Sequence, residues 1–325
     1  MNQPRRKVLI TAKSLAGSPA ALEILRSAGC EVDLKITPAM LAEQALIEHC
    51  RDVDALVFTM EPVTRRLIEA AKNLKVIARP AVGYDTVDAA AATERKIAIT
   101  IAAGTNDQSV ADFTLGLLLT ATRGILDAAQ ACQQRKWERV TGTETWSKTL
   151  AIVGLGRIGK GVARRARGFD MRVLAVGRNP DREFAAAHGV EIVSLETALR
   201  TADFVSLHAP LTPDTRHLIN ERTLGWMKRG AYLINTSRGG LVDEPALVAA
   251  VRSGQLAGAA VDVLQEQGAN SKSPLIGVPG IIVTPHMATF TREAIERVAI
   301  STARSIVAVL NGERPSTVVN RDIYA

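Results

Sequence analysis

The segment Thr149–Gly161, TLAIVGLGRIGKG, constrains the fold of this chain more than any other. An apolar stretch leads directly into Gly154-Leu155-Gly156-Arg157-Ile158-Gly159, and a helix-forming segment follows. In such a unit the first glycine permits a tight turn, the second lets the backbone approach a pyrophosphate, and the third lets helix and strand pack closely. A second apolar run, Met171–Val176, completes a βαβ unit. We therefore expect the three glycines, Arg157 and Ile158 to bind a dinucleotide at the helix N-terminus, with an ordinary βα turn as the alternative.

Short apolar segments alternate with helical segments in two successive groups along the chain. Strands of the first group are predicted at Lys7–Thr11, Glu31–Ile36, Ala55–Thr59, Lys75–Arg79 and Ile97–Thr100, with helices such as Pro19–Ala28 and Val63–Ala71 between them. Later strands are predicted at Phe204–His208, Ala231–Asn235, Ala259–Val263 and Ile281–Thr284, and long helices at Gln108–Arg123 and Thr291–Asn311. The alternation predicts an α/β protein with two doubly wound lobes. One is a flavodoxin-like lobe formed by residues 1–103 and 292–325, and the other is a Rossmann dinucleotide-binding lobe formed by residues 104–291.

Composition favours a cytoplasmic protein. Hydrophobic residues make up 47% of the chain and charged residues 22%, as is typical of a globular protein. No apolar stretch has the length of a membrane span, and the first residues lack the apolar core of a signal peptide, so we expect no membrane partner. Cys30, Cys50 and Cys132 are scattered and odd in number, which favours buried thiols over disulfides or metal ligands.

The net charge of +7 raises the question of nucleic acid as a partner. Basic residues are dispersed, and the one tight cluster, Arg164-Arg165-Arg167, lies on the expected dinucleotide-site helix. Aromatic residues are 4% of the chain and form no stacking platform. The charge therefore favours attraction of small anions over nucleic-acid binding, and a merely solvated basic surface is the alternative.

Several further segments, in a fixed order, match one family. They are KVIARPAVGYDTVD (75–88), NDQSVADFTLGLLL (106–119), GLGRIG (154–159), DFVSLHAPLTPDTRHLIN (203–220), GAYLINTSRGGLVDEPALVAAV (230–251), GAAVDVL (258–264) and TPH (284–286). The chain resembles the D-isomer-specific 2-hydroxyacid dehydrogenases, nearest to the phosphoglycerate dehydrogenases and the glyoxylate/hydroxypyruvate reductases.

The resemblance implies that the chain interconverts a small D-2-hydroxy acid and its 2-keto acid with NAD or NADP. It implies that the first lobe holds this small anionic substrate, that the second holds the nicotinamide dinucleotide, and that the chain forms a homodimer. It also implies that the dinucleotide is contacted by Ala209, Pro210, Thr215, Thr236, Asp262 and His286.

Two residues suit the chemistry that such a reaction needs. Arg238 follows the strand AYLIN, and its permanently charged guanidinium can grip a carboxylate bidentately and polarise the C2 oxygen. His286 follows the strand IIVTP and is one of five histidines, with an intrinsic pKa close to working pH that suits a proton carrier. The resemblance assigns the same roles to these two positions. A surface arginine at a turn and a histidine at a strand end are the alternatives.

The chain departs from the family at the third catalytic position. The resemblance implies a Glu five positions after Asp262 that hydrogen-bonds the histidine, but Gln267 stands there. A neutral amide can orient the imidazole without stabilising its charged form, so the pKa of His286 is expected to be lower than beside a carboxylate. Glu266 is adjacent and takes the role instead if the loop turns differently.

Cofactor preference is expected at the end of the second Rossmann strand. NAD enzymes place an acidic residue there for the ribose 2′-hydroxyl, but family spacing puts Gly177 at that position. Arg178 follows and can pair with a 2′-phosphate, helped by Asn179 and Arg182. We therefore expect NADP to be preferred, with NAD accepted loosely as the alternative.

The substrate loop is expected at Arg79–Asp85, RPAVGYD. The resemblance implies that Val82 and Gly83 offer backbone N–H groups to the substrate carboxylate. The segment Thr59-Met60-Glu61-Pro62 stands where some phosphoglycerate dehydrogenases carry basic residues, so a phosphorylated substrate is not assured, although Arg65, Arg66 or Arg79 can compensate.

A second class of function stays open on the sequence alone. The same fold serves as a dinucleotide-binding scaffold or sensor in the corepressors of this superfamily, and Gln267 gives that alternative weight. The presence of Arg238 and His286 favours the enzyme.

Overall fold

The computed structural model describes residues 6–37 and 40–325. The chain divides into two compact units. The first contains the residues up to Asn106 together with Thr291–Ala325, and the second contains Asp107–Phe290. These boundaries lie three residues and one residue from the positions expected from the sequence.

The first unit is built on a parallel sheet of five strands in the order β2-β1-β3-β4-β5. The strands are β1 (Arg6–Ile10), β2 (Cys30–Leu34), β3 (Ala55–Val57), β4 (Val76–Arg79) and β5 (Ala98–Ile101). The helices between them are α1 (Lys13–Ala16), α2 (Pro19–Ser27), α3 (Glu43–Cys50), α4 (Arg65–Ala70) and α5 (Ala89–Glu94). This strand order is flavodoxin-like and confirms the predicted doubly wound fold.

Capping residues set where the helices of the first unit begin. Ser18 accepts a hydrogen bond from the Ala21 N–H and starts α2. Thr64 caps α4 in the same way, so this helix begins two residues later than the predicted Val63. Val63 instead pairs with Val87 in an isolated β-bridge. Val63 is buried in the core, and Thr64 fixes where the helix starts.

The second unit contains a parallel sheet of seven strands in the order β12-β11-β10-β9-β6-β7-β8. The strands are β6 (Thr149–Val153), β7 (Arg172–Val176), β8 (Val190–Ile192), β9 (Phe204–Leu207), β10 (Ala231–Asn235), β11 (Leu256–Val261) and β12 (Ile281–Val283). The helices are α6 (Asp107–Arg123), α7 (Ile125–Gln133), α8 (Arg157–Ala166), α9 (Arg182–Ala187), α10 (Leu195–Thr201), α11 (Glu221–Trp226) and α12 (Glu244–Arg252). The strand order reverses between β6 and β9, which is where a doubly wound sheet binds its ligand.

The last helix, α13 (Arg292–Leu310), belongs to the first unit. Thr291 caps its start, and its buried face includes Ala299, Ala303 and Ile306, which pack into the core formed by β1, β3 and β4. No single helix of residues 6–37 and 40–325 has the length and apolar content to cross a bilayer. The pair α6–α7 passes that test only when taken together, across a bend of 66°.

The cysteines do not all follow the prediction of buried thiols. Cys30 and Cys50 are buried free thiols, but Cys132 is exposed. It lies on α7, a helix of which no residue is buried, so the prediction was wrong for this position. Within the described ranges, no group of three or more His, Cys, Asp or Glu side chains is placed to hold a metal ion.

Candidate active site

The glycine-rich turn after β6 has the geometry that each of its glycines was expected to provide. Gly154 has φ +107°, and a Cβ there would lie 2.6 Å from the carbonyl of His208. A Cβ at Gly159 would overlap the carbonyl oxygen of Gly154. At Gly156, by contrast, a Cβ would meet nothing within 4 Å, so the space over this residue is open. At Gly154 and Gly159 the neighbouring backbone thus leaves no room for a side chain, whereas the face of the turn over Gly156 is open.

Helix α8 begins at this open face. Gly156 is its N-cap and provides no side-chain acceptor for the N–H groups of the first turn. Arg157 lies outside the core and donates to Asp107 at 2.8 Å, while Ile158 packs partly buried against the core. An uncapped N-terminus of a ten-residue helix attracts an anion through its free N–H groups and its dipole.

The loop after β9 lies directly against the glycine-rich turn. The Ala209 carbonyl accepts from the Ser237 hydroxyl at 2.6 Å, which joins this loop to the one after β10. Pro210 is exposed, and its carbonyl accepts from the Thr215 hydroxyl at 2.7 Å. These hydrogen bonds close the loop Ala209–Thr215 on itself beside the open face. Thr236, by contrast, is buried, and its hydroxyl contacts that of Thr114 at 3.0 Å.

His208 is a residue of this edge that the sequence analysis did not single out. Burial lowers its pKa to about 4, so the imidazole is neutral at working pH. Its Nε2 lies 2.8 Å from the Ser206 hydroxyl, and its buried Nδ1 has no hydrogen-bond partner among the described residues. The only sequence signal was its position after β9, next to the loop against Gly154.

Arg178, expected to pair with a 2′-phosphate, bonds a carboxylate instead. Its guanidinium donates to Asp214 at 2.9 Å, and both side chains are more than two-thirds exposed. Gly177, at the end of β7, leaves the strand end without a carboxylate, and a Cβ there would meet only Pro180 at 3.9 Å. Asp214 is the partner that sequence reasoning missed, because it lies 36 residues away.

The Arg238 loop follows β10 and is shaped by a buried asparagine. Asn235 is 1% exposed, and its side chain accepts from the Ser237 N–H at 3.0 Å and donates to the Arg238 carbonyl at 2.9 Å. The next residue, Gly239, lies so close to the Leu264 carbonyl that a Cβ would overlap it. The side chain of Asn235 therefore fixes the backbone that carries Arg238, and the glycine lets the loop after β11 pack against it.

His286 lies on a loop that Asp262 holds in place. Asp262 is 1% exposed, and its carboxylate accepts from the Thr284 hydroxyl at 2.6 Å, the Met287 N–H at 2.9 Å and the Ala288 N–H at 2.8 Å. His286 itself has φ +53°, in the left-handed region, and its N–H donates to the Asp262 carbonyl at 2.8 Å. Backbone strain of this kind persists only where surrounding contacts enforce it. Both carboxylate oxygens of Asp262, expected to contact a dinucleotide, are engaged by the His286 loop.

The imidazole of His286 contacts Gln267. Nδ1 lies 2.9 Å from the Gln267 Oε1, and the Gln267 Nε2 donates to the Leu264 carbonyl at 3.4 Å. Because the amide oxygen faces the ring, Nδ1 carries a proton and donates it to Gln267, and in the charged imidazole Nε2 carries the second proton. The side chain of Glu266 makes no hydrogen bond or ion pair with the residues that the structure describes, and only its carbonyl accepts, from the Ser271 hydroxyl at 2.6 Å.

A second buried carboxylate organises the loop that carries Gln267. Glu244, at the start of α12, is 4% exposed and accepts from the Gln265 N–H at 2.7 Å and the Ser273 hydroxyl at 2.7 Å. Gln265 also donates through its side chain to the Val242 carbonyl at 2.9 Å. The loop Gln265–Ser273 is therefore attached at both ends to the N-terminus of α12.

In the first unit, the loop after β4 contains the residues expected to bind a substrate carboxylate. Val82 is 40% exposed, and among the described residues the backbone N–H groups of Val82 and Gly83 have no acceptor. Arg79 is 9% exposed and donates to the Gly83 carbonyl at 3.1 Å. The loop thus presents two unpaired donors beside a buried guanidinium.

The second unit fits a nicotinamide dinucleotide by these observations. The open face over Gly156 and the uncapped start of α8 suit a pyrophosphate, and the orphaned Nδ1 of His208 supplies a further polar group at the same edge. The residues that would hold it are the three glycines of the turn, the first turn of α8, and the loop from Ala209 to Thr215.

Comparison with known proteins agrees with this geometry. Residues 115–288 match the family model described as D-isomer specific 2-hydroxyacid dehydrogenase, NAD binding domain. The chain is 39% identical to a glyoxylate reductase of Korarchaeum cryptofilum over 90% of each chain. It is also 39% identical to a D-3-phosphoglycerate dehydrogenase of Methanocaldococcus jannaschii, over 92% of this chain and 57% of the relative. The TT0316 protein of Thermus thermophilus superposes with a TM-score of 0.89 at 38% identity, over 96% of this chain and 99% of that one.

The family assignment follows from the parallel sheets, the glycine-rich turn and these similarities taken together. The match extends over both units and agrees with the segments that the sequence analysis had singled out. This chain belongs to the D-isomer-specific 2-hydroxyacid dehydrogenases, oxidoreductases that interconvert D-2-hydroxy acids and 2-keto acids with a nicotinamide dinucleotide.

Proposed function

We propose that this chain acts on a small acid of the glyoxylate–hydroxypyruvate or 3-phosphoglycerate type, prefers NADP(H), and uses Arg238, His286 and Gln267 for catalysis. The observation that carries the proposal is the contact of 2.9 Å between the His286 Nδ1 and the Gln267 Oε1, on a loop held by the buried Asp262. A histidine held in this way presents an imidazole ring whose orientation the protein fixes, as a proton carrier requires.

Arg238 has the role of binding the substrate carboxylate and polarising the C2 oxygen. A guanidinium stays charged at every working pH and presents its donors in a planar fork. Asn235 supports the role because its side chain fixes the backbone at both Ser237 and Arg238. The developing negative charge on the C2 oxygen would then meet a donor that needs no reorganisation.

His286 has the role of moving the proton. The nicotinamide dinucleotide, when bound, supplies or accepts the hydride at C2. In the direction of reduction the Nε2–H of the charged imidazole gives its proton to the C2 oxygen, and in oxidation the neutral Nε2 takes it back. Gln267 orients the ring in both directions by accepting from Nδ1.

The first unit also offers donors that suit a carboxylate. The backbone N–H groups of Val82 and Gly83 lack acceptors among the described residues, and the pair forms an open cradle for an anion. A substrate of this chemistry is a small anion, which the net charge of +7 also favours. We propose no nucleic-acid or membrane partner, and a cytoplasmic location that agrees with three free thiols.

The NADP preference rests on the end of β7. Gly177 has no side chain, so the end of the strand has open space and lacks the carboxylate of an NAD enzyme. The exposed guanidinium of Arg178 lies next to it. Asp214 competes for that guanidinium, so the preference is expected to be moderate.

We also propose a homodimer formed through residues 125–140. No residue of α7 is buried, and Ile125, Leu126, Trp137 and Val140 are 52%, 44%, 86% and 47% exposed. An apolar patch of this kind marks an interaction surface. Light scattering of wild type and Trp137→Asp tests it. We expect a dimer that the variant weakens, and a monomeric wild type would contradict it.

The experiment that tests the proposed function is a turnover panel. Glyoxylate, hydroxypyruvate and 3-phosphohydroxypyruvate are each reduced with NADPH and with NADH. We expect turnover of at least one acid, with a higher kcat/KM for NADPH. Dinucleotide binding without turnover of any acid would contradict the proposal and favour a scaffold or sensor.

A further inference from the structure

Two neighbouring loops at the carboxyl edge of the first sheet present backbone N–H groups that can hold an anion. In the loop after β4 the N–H groups of Val82 and Gly83 have no acceptor within residues 6–37 and 40–325. In the loop after β3 the N–H groups of Thr59 and Met60 donate to the Oε2 of Glu61 at 2.8 and 2.9 Å. One cradle is open, and the other is filled by a carboxylate of the protein itself.

Glu61 is held in the filled cradle as an anion. Its side chain is 3% exposed. Burial raises the pKa of Glu61, but hydrogen bonds from the Thr11 hydroxyl and from the backbone N–H groups of Glu61, Thr59 and Met60 outweigh it and hold the pKa below its usual value. The carboxylate therefore keeps its negative charge at neutral pH and uses the donors that an external anion would need.

Arg79 ties the two loops together. Its guanidinium donates to the Gly83 carbonyl at 3.1 Å and to the Phe58 carbonyl at 3.4 Å, and it lies 5.3 Å from the centre of the Phe58 ring. The charge of Glu61 is thus fixed in the loop adjacent to the open cradle.

The other two arginines that the sequence offered as phosphate ligands lie on α4 and bind side chains of the neighbouring helices α3 and α5. Arg65 forms a bidentate pair with Glu94 at 2.6 and 3.0 Å. Arg66 donates to Gln44 at 2.6 Å and lies 3.8 Å from Glu43. Neither guanidinium is left to offset the charge of Glu61.

Building on the proposed function, we infer that Glu61 determines specificity: it restricts the substrate to acids whose C3 substituent is uncharged and excludes phosphorylated ones. A phosphate brought next to the filled cradle would meet a fixed like charge, and the N–H groups of Thr59 and Met60 already donate to that charge. A like charge placed against one ligand is a way in which a site rejects a competitor. Glyoxylate and hydroxypyruvate fit this chemistry, and 3-phosphohydroxypyruvate does not.

The test compares hydroxypyruvate with 3-phosphohydroxypyruvate in the wild type. We expect kcat/KM to favour hydroxypyruvate by about 100-fold, chiefly through KM, since a fixed like charge opposes binding of the phosphate. A wild type that reduces 3-phosphohydroxypyruvate as well as hydroxypyruvate would overturn the inference while leaving the proposed function intact. Turnover of neither acid nor of glyoxylate would overturn the proposed function and the inference with it.

Two variants then assign the effect to Glu61. Glu61→Gln keeps an amide oxygen for the N–H groups and removes the charge, so the preference for hydroxypyruvate is expected to fall by about tenfold. Glu69→Gln removes an equal charge from an exposed position on α4 and should leave the preference unchanged. An unchanged preference in Glu61→Gln would contradict the inference, and if that variant does not fold, the wild-type preference still decides.

Discussion

The carboxyl edges of the two sheets use buried carboxylates in opposite ways. In the second unit, Asp262 and Glu244 accept hydrogen bonds from the loops that carry His286 and Gln267. In the first unit, Glu61 accepts from its own loop and fills a place where an anion could otherwise bind.

The difference follows from what the donors are attached to. A buried carboxylate that gathers N–H groups from a distant loop orders that loop, whereas one that gathers its neighbours' N–H groups acts as a bound anion. A buried carboxylate thus orders another loop in one unit and takes the place of a bound anion in the other. The following predictions test the two roles, beginning with the largest effect.

Arg238→Lys is expected to lower kcat/KM by about 100-fold or more, because an ammonium cannot reproduce the fork on the carboxylate and the C2 oxygen. Dinucleotide affinity, measured by fluorescence titration, should stay near wild type because the glycine-rich turn is untouched. The exposed Arg252→Lys is the matched control. A lysine variant with near-normal kcat/KM would place the substrate cation elsewhere.

Asp262→Asn should destabilise the second unit and disorder the His286 loop. An amide has one oxygen for the three donors that the carboxylate accepts, so we expect a loss of about 2–3 kcal/mol in the free energy of unfolding. Denaturant titration measures it, with the exposed Asp33→Asn as control. Unfolding at wild-type denaturant concentrations would show that the carboxylate does not hold the loop.

Arg178 and Asp214 are expected to set the affinity for NADPH between them. Arg178→Ala should weaken the binding of NADPH by about 1–3 kcal/mol, because a charge-assisted hydrogen bond is lost, and should leave the affinity for NADH unchanged. Asp214→Asn removes the competing carboxylate and should raise the affinity for NADPH severalfold. Calorimetric titration of both dinucleotides checks this, and equal responses of NADPH and NADH would remove Arg178 from the specificity determinants.

The sequence predicted best those features that depend on short spacings along the chain. The glycines at 154, 156 and 159 differ in their surroundings as expected, because each requirement comes from a turn six residues long. Gln267, rather than Glu266, contacts the imidazole, as the spacing from Asp262 had favoured.

Contacts between distant residues were not predictable in the same way. Asp214 lies 36 residues from Arg178, and the Ser273 hydroxyl lies 29 residues from Glu244. Asn235 looked like the end of a buried strand, and only its two hydrogen bonds reveal that it shapes the Arg238 loop. Strand β8 was missed because three residues are too short to show an alternating pattern.

The pH dependence of kcat/KM for reduction tests the central claim most directly, namely that Gln267 supports His286 as the proton carrier. The charged imidazole is the acid, so the rate falls as pH rises through its pKa. Gln267→Glu adds a negative charge beside Nδ1, which should move this falling limb upward by on the order of one pH unit, while Glu266→Gln leaves it in place. The opposite pattern, a limb that moves in Glu266→Gln and stays in Gln267→Glu, would contradict the account.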